Sequence, residues 1–165
     1  MTTTTDGLPL LTPLDVDTLR AQGVPEPFAF GQADRVRFRE LDVLDHVNNA
    51  VYLGWFETFR IAYLRRYGLG DYTDAATRPA LILKRVGVEY HAPLHLEDVY
   101  VVAGRTRAYR RTSWTMEYRV YSGGRHATTG EAVIVLMEPD FATRRLIPDD
   151  WIRLFEARDG AVREA

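Results

Sequence analysis

The chain has 165 residues, 46% hydrophobic and 12% aromatic, which fits one folded domain with a real core and excludes a disordered chain. A net charge of −2 gives no global electrostatic reason to expect a nucleic-acid partner. The absence of cysteine excludes disulfides, thiolate-held metals and a cysteine nucleophile, and fits a reducing compartment.

Residues 1–13 lack a basic start, and Pro9 interrupts their short apolar run, so they do not read as a signal peptide. No apolar stretch approaches the ~20 residues that span a bilayer. The expectation is a cytoplasmic protein with no membrane partner. Residues 1–30 read as an N-terminal arm with a short helix over Asp15–Gln22, stopped by Gly23 and Pro25. Residues 31–165 read as the main domain. From Arg35 the pattern alternates: Val36, Phe38, Glu40 and Asp42 share one parity, and Arg35, Arg37 and Arg39 the other. In a strand the first set faces the core, so its inward face would end in two carboxylates, an arrangement that places Asp42 for chemistry.

A long helix follows, for which Asn48 or Asn49 is the natural N-cap. At about 100° per residue, Val51, Tyr52, Trp55, Phe56, Phe59, Ala62, Tyr63 and Tyr67 cover one broad side. Glu57, Thr58, Arg60 and Arg65 lie opposite, with Leu53, Ile61 and Leu64 among them. So much apolar surface predicts a helix enclosed on most sides and ending at Tyr67, before Gly68. Glu57 is expected to pair with Arg60 on the same face. Four strand-like runs come next, near Ala80–Ala92, Asp98–Tyr109, Thr112–Tyr121 and His126–Glu138, with Ser122-Gly123-Gly124 as a hairpin turn. Pro148 then opens a short amphipathic helix carrying Trp151, Leu154 and Phe155. The order predicts an α+β fold, an antiparallel sheet wrapped on one helix.

Polar groups gathered where a strand feeds a helix N-terminus suit attack on a carbonyl. The unpaired backbone N–H groups there can hold the oxygen that becomes negative. Here the sequence Glu40-Leu41-Asp42-Val43-Leu44-Asp45-His46-Val47-Asn48-Asn49 leads into Tyr52 and Phe56-Glu57. With Val88-Glu89-Tyr90-His91-Ala92-Pro93 and Arg111-Thr112-Ser113, the chain over about residues 33–150 resembles the hotdog-fold acyl-CoA thioesterases of the 4-hydroxybenzoyl-CoA thioesterase-like superfamily.

The resemblance implies a hotdog fold, with a five-stranded antiparallel sheet around a long central helix, and hydrolysis of an acyl thioester in fatty acid metabolism. It makes Asp42 the catalytic carboxylate, either nucleophile or general base. One carboxylate suffices chemically: a thiol with a pKa near ~8.5 departs as thiolate without a strong acid. N–H groups at Asn49 and nearby would hold the oxyanion. In the related plant acyl-ACP thioesterases the motif reads Asp-x-Asn-x-His-Val-Asn-Asn, with catalytic Asp, Asn and His. Leu44 stands here at the middle position, so His46 either orients the substrate or water, or hydrogen-bonds the turn. Asn48 either positions substrate, water and Asp42 or caps the helix, and Tyr52 is a substrate-binding candidate. Asp45 reads as an exposed turn residue.

Coenzyme A would bring phosphates, for which Arg110 and Arg111 are candidates, with Lys84 and Arg85 behind them. Acyl carrier protein is the other possible thioester carrier. No cofactor and no metal is expected, because His91, His95 and His126 share no ligand spacing with Asp42. Hotdog proteins pair edge to edge with sites between subunits, which implies a homodimer or homotetramer. Two other readings stay open: a hotdog dehydratase or hydratase acting on acyl thioesters, and a non-catalytic acyl-CoA-binding domain.

Overall fold

The computed structural model describes residues 7–165, so the first six residues of the expected arm lie outside the described residues. In chain order the elements are α1 (Val16–Ala21), β1 (Gly31–Arg35), a 3-10 turn (Phe38–Glu40), α2 (Val51–Arg66), β2 (Ala80–Tyr90), β3 (Val99–Tyr109), β4 (Ser113–Ser122), β5 (Arg125–Met137), α3 (Asp149–Asp159) and β6 (Val162–Arg163). The strands run in the order β1-β3-β4-β5-β2. Those five pair antiparallel throughout, as expected. The sixth strand was not expected. Beyond the stretch of β3 that pairs with β1, Gly160 turns the chain back at φ 65° and β6 runs parallel to Ala108 and Tyr109.

Alternation governs the middle of the sheet. Trp114, Met116, Tyr118 and Val120 of β4 are all buried toward α2, and Gly123 and Gly124 take the positive φ (56° and 75°) that a tight hairpin demands. α2 lies in that concave face through Tyr52, Trp55, Phe56, Phe59, Tyr63 and Leu64. Two glycines let it approach so closely. A Cβ on Gly130 would come within 2.5 Å of the Phe56 ring, and one on Gly104 within 2.7 Å of Phe59. Phe56 then stacks flat on Tyr118, with centroids 4.6 Å apart. The expected enclosure of α2 is incomplete. Leu53 and Glu57 stay exposed because their side of the helix has no covering element.

The arm covers the opposite face of the sheet. Asp15 caps α1 by accepting from the Thr18 N–H at 2.7 Å, and Leu14, Leu19, Val24 and Phe28 pack on Ala33, Val99, Val101 and Tyr121. α3 returns to the concave side. There Asp159, 3% exposed, accepts from the hydroxyls of Tyr63 and Tyr67 (2.6 Å each) and from the Thr106 N–H (2.7 Å). β2 forms one edge of the sheet: no residue in it is fully buried, and it pairs with β5 alone among the described residues. Among the described residues no helix is long and apolar enough to cross a membrane.

Candidate active site

The strand expected to carry Glu40 and Asp42 inward stops at Arg35, and Phe38, on the supposed buried parity, is 79% exposed. Strand parity therefore does not carry Asp42 inward. Glu40 is the cause. Its buried carboxylate accepts from the Trp55 indole at 3.1 Å and from the Arg37 N–H at 2.7 Å, and its backbone oxygen accepts from the Asn48 N–H at 2.8 Å. Arg37 in turn forms a two-bond contact with Asp34 (2.9 Å each). Satisfying a buried carboxylate outweighs continuing an exposed strand, so the chain coils into a 3-10 turn.

This clamp holds both ends of a short loop. Inside it the Asp42 N–H donates to the His46 backbone oxygen at 2.8 Å, and Asp45 takes φ 59° at the tip, as suits an exposed turn residue. Asp42 Oδ1 accepts from the N–H groups of Leu44 (2.8 Å) and His46 (3.3 Å). Among the described residues nothing donates to Oδ2. One oxygen builds the turn and the other is left over.

α2 begins without a side-chain cap at Ala50. Asn48 does that work two residues earlier: its side-chain oxygen accepts from the Ala50 N–H and its backbone oxygen from the Val51 N–H, each at 2.9 Å. Neither asparagine is the formal cap. The Asn49 N–H, between those two bonds, has no acceptor among the described residues, and the Asn49 carbonyl accepts from the Tyr90 hydroxyl at 2.8 Å. Asp42, His46, Asn49 and Tyr52 meet in one cleft of about 360 Å³, whose other wall includes Tyr90 and His91. Asn48 is not in its lining. Tyr52 meets Tyr90 edge to face at 5.2 Å, and burial raises its hydroxyl pKa.

The histidines converge although their spacing in sequence shows no pattern. His46 meets His95 at 5.0 Å, and His91 meets His126 at 4.7 Å. The Thr129 hydroxyl bridges the second pair at 2.9 Å and 3.2 Å. Among the described residues no three His, Cys, Asp or Glu side chains are placed to hold a metal ion. Burial, followed by the nearby Arg119 and His91, pushes His126 below its ordinary value of 6.5. The folded state then binds fewer protons than the unfolded one, so this stabilisation is present above pH 6.5 and is lost as pH falls through the depressed value. Thermal melts between neutral and acidic pH should show a decline in stability that His126→Gln flattens.

Arg110 and Arg111 are not brought to this cleft. Tyr100, stacked on Trp55 at 3.8 Å, marks the cleft end of β3, and Arg110 follows its other end, about 33 Å away at the rise of a strand. Arg110 instead lines a recess of about 490 Å³ on the face away from α2, together with Lys84, Arg85 and Arg107. Arg111 is exposed and outside that lining. Nor does Glu57 pair with Arg60, whose guanidinium turns to the Tyr118 hydroxyl at 3.4 Å. Tyr90, His91 and the Glu40–Trp55 clamp carry no site role in the sequence reading. The one available signal was an aromatic residue and a histidine together at the end of β2.

The sequence profile of the Thioesterase-like superfamily matches residues 36–153. The chain belongs to that superfamily. A thioesterase superfamily structure from Jannaschia sp. CCS1 is 40% identical, covers 94% of this chain and 99% of its own, and superposes with a TM-score of 0.87. A thioesterase from Thermus thermophilus, complexed with coenzyme A and Zn, is 33% identical over 82% of this chain and 98% of its own, with a TM-score of 0.72. The Escherichia coli protein named acyl-CoA thioester hydrolase YbgC is 24% identical over 123 residues, 74% of this chain and 92% of that one. The thioesterase-like chain thus has the hotdog fold that its motifs implied. The Jannaschia match extends well beyond the profile boundaries, so it includes most of the arm that covers the outer face of the sheet.

Proposed function

We propose that this thioesterase hydrolyses an acyl-CoA to the free acid and coenzyme A at the Asp42 cleft, in the cytoplasm. The observation that carries the reading is a carboxylate with one spare oxygen sharing a cleft with an unclaimed N–H at the start of α2. As nucleophile, Asp42 Oδ2 bonds to the thioester carbon, the C–S bond breaks with its electron pair leaving on sulfur, and water cleaves the resulting anhydride. As general base it takes a proton from water, and the hydroxide adds to the carbon before the same C–S bond breaks. In both routes the Asn49 N–H and the dipole of α2 stabilise the oxyanion. His46, edge-on to His95 in the same lining, orients water or the carbonyl.

The carrier phosphates fit the Arg110 recess, where Arg85 and Arg107 pair with Glu131, Arg107 and Arg110 pair with Glu164, and Lys84 lies in the same lining. Arg110, about 33 Å from the cleft end of β3 and on the face of the sheet away from α2, serves the site only as part of a second copy. The unpaired edge of β2, with Ile82 and Leu83 exposed, supports such pairing: an antiparallel β2–β2 contact brings the Arg110 end of one copy toward the cleft of the other. Sedimentation should therefore show at least a dimer. A fully active monomer would reject the shared site.

Free-thiol release from a panel of acyl-CoA and acyl-carrier-protein thioesters, recorded beside enoyl absorbance, tests the reaction. Thiol release without enoyl loss is expected. Enoyl loss alone selects the hydratase chemistry, and binding with no turnover selects a non-catalytic domain.

A further inference from the structure

The cleft occupies only one end of the space between α2 and β2. Tyr52, Phe56 and Arg60 follow at four-residue intervals on one face of α2, which puts Arg60 about 12 Å beyond Tyr52. At that far end lies a second recess of about 280 Å³, lined by Arg60, Ile61, Leu64, Tyr72, Leu81 and Leu83, with Glu57 at its rim. The same two elements wall both spaces: Tyr52 faces Tyr90 at the cleft, and Ile61 and Leu64 share the far recess with Leu81 and Leu83. The far recess is apolar on most sides, as an acyl chain requires, but it contains a half-buried guanidinium.

That guanidinium is poorly satisfied. Its one hydrogen bond to a described side chain is the 3.4 Å contact to the Tyr118 hydroxyl, and no described carboxylate forms an ion pair with it. Tyr118 is fully buried, which pushes its hydroxyl up to about 12, so it offers Arg60 a neutral oxygen and no counter-charge. A guanidinium drawn out of water in this way is costly unless an acceptor reaches it. A chain ending in methyl would strip its remaining water and return nothing. A chain ending in oxygen would replace that water.

We propose that Arg60 sets acyl specificity: the acyl chain runs from Asp42 along the α2–β2 groove, and Arg60 binds a hydrogen-bond-accepting oxygen at its far end. The proposal rests on the Asp42 cleft being the thioester site. The test compares acyl-CoA thioesters of equal chain length ending in methyl, hydroxyl or carboxylate, using wild type, Arg60→Met and Arg60→Lys. Wild type should favour one or both oxygen-ended chains over methyl by about 10- to 100-fold in kcat/KM, the range of a hydrogen bond to a charged group. The hydroxyl and carboxylate arms show which oxygen is preferred beside Glu57. Arg60→Met should abolish the preference and Arg60→Lys should keep part of it, with the three melting temperatures alike. A wild-type enzyme that treats all three ends equally or prefers methyl, or a preference that survives in Arg60→Met, overturns the assignment. Calorimetric titration of the matching non-hydrolysable CoA thioethers reads the same preference without turnover. Failure of hydrolysis and failure of Arg60 selection are therefore separate results.

Discussion

Asp42→Asn is expected to lower thioester turnover by about 10²–10⁴-fold, the range seen for loss of a positioned acid–base group, while leaving the fold intact. The separation follows from the division of labour between the two carboxylate oxygens. Asn keeps an oxygen at the Oδ1 position to accept from Leu44 and His46, so the loop between Glu40 and Asn48 closes as before. It loses the basicity and nucleophilicity of the second oxygen. Stability should stay within about 0.5 kcal/mol of wild type. Asp42→Ala removes the turn bonds as well, and should cost about 1–2 kcal/mol in addition to the same loss of activity. Thiol-release kinetics beside thermal melts measure both effects. Undiminished hydrolysis by Asp42→Asn would remove Asp42 from the mechanism. In a single turnover in heavy-oxygen water, label entering the Asp42 side chain identifies the nucleophilic route, because only the mixed anhydride exposes that carboxyl carbon to water.

Asp159→Ala should give the largest loss of stability, about 3–5 kcal/mol. Three donors converge on this carboxylate, from Tyr63 of α2, from Tyr67 just past its end and from Thr106 on β3, and the Arg105 guanidinium donates to its backbone oxygen at 2.7 Å. Alanine leaves the Tyr67 hydroxyl and the Thr106 N–H without this acceptor in a closed core, and leaves the Tyr63 hydroxyl only its contact with the Thr106 hydroxyl. Burial raises the pKa of Asp159, with the tyrosine and Thr106 donors pulling the other way, so the neutral acid is favoured on folding. That contribution is complete below the ordinary value of 3.8 and is lost as pH rises through the raised one. Asp159→Asn, which keeps one acceptor and removes the charge, should therefore cost less than alanine, and less still as pH rises. Chemical denaturation of both variants measures this. Losses within about 0.5 kcal/mol for Asp159→Ala would show that the network does not hold α3 to α2.

The parts of this protein that were legible in sequence are those where local periodicity and burial agree. β4 alternates because each inward residue enters the core beneath α2 and α3 and each outward one meets polar neighbours or the arm. The Gly123-Gly124 turn and the end of α2 at Tyr67 before Gly68 follow from glycine's access to positive φ. Glu40 defeated the same reasoning. Its alternating neighbours continue the strand pattern on paper, yet its carboxylate is drawn in by Trp55, fifteen residues later. Asp42 entered the cleft through that contact, and the parity invoked for it does not exist. Arg60 and Glu57 share a helix face, and helix spacing alone pairs them. The exposed carboxylate stays with solvent and the guanidinium turns to a strand hydroxyl 58 residues away in sequence.

The sequence by itself determined the class of fold through short-range periodicity, and through its family resemblance it marked the extent of the thioesterase motif and the candidates Asp42, His46, Asn49 and Tyr52. Only the tertiary structure decided which atoms are free. Among the described residues it assigned one Asp42 oxygen to the turn and left the other over, set the Asn48 side chain on the Ala50 N–H and left the Asn49 N–H open. It also paired His46 with His95 and His91 with His126, which no spacing connects, and set Arg110 at the opposite end of β3 from the cleft. Each of these depends on hydrogen bonds and ring contacts between residues distant in the chain. A buried polar group takes the partner that folding brings to it, and sequence spacing does not record which partner that is.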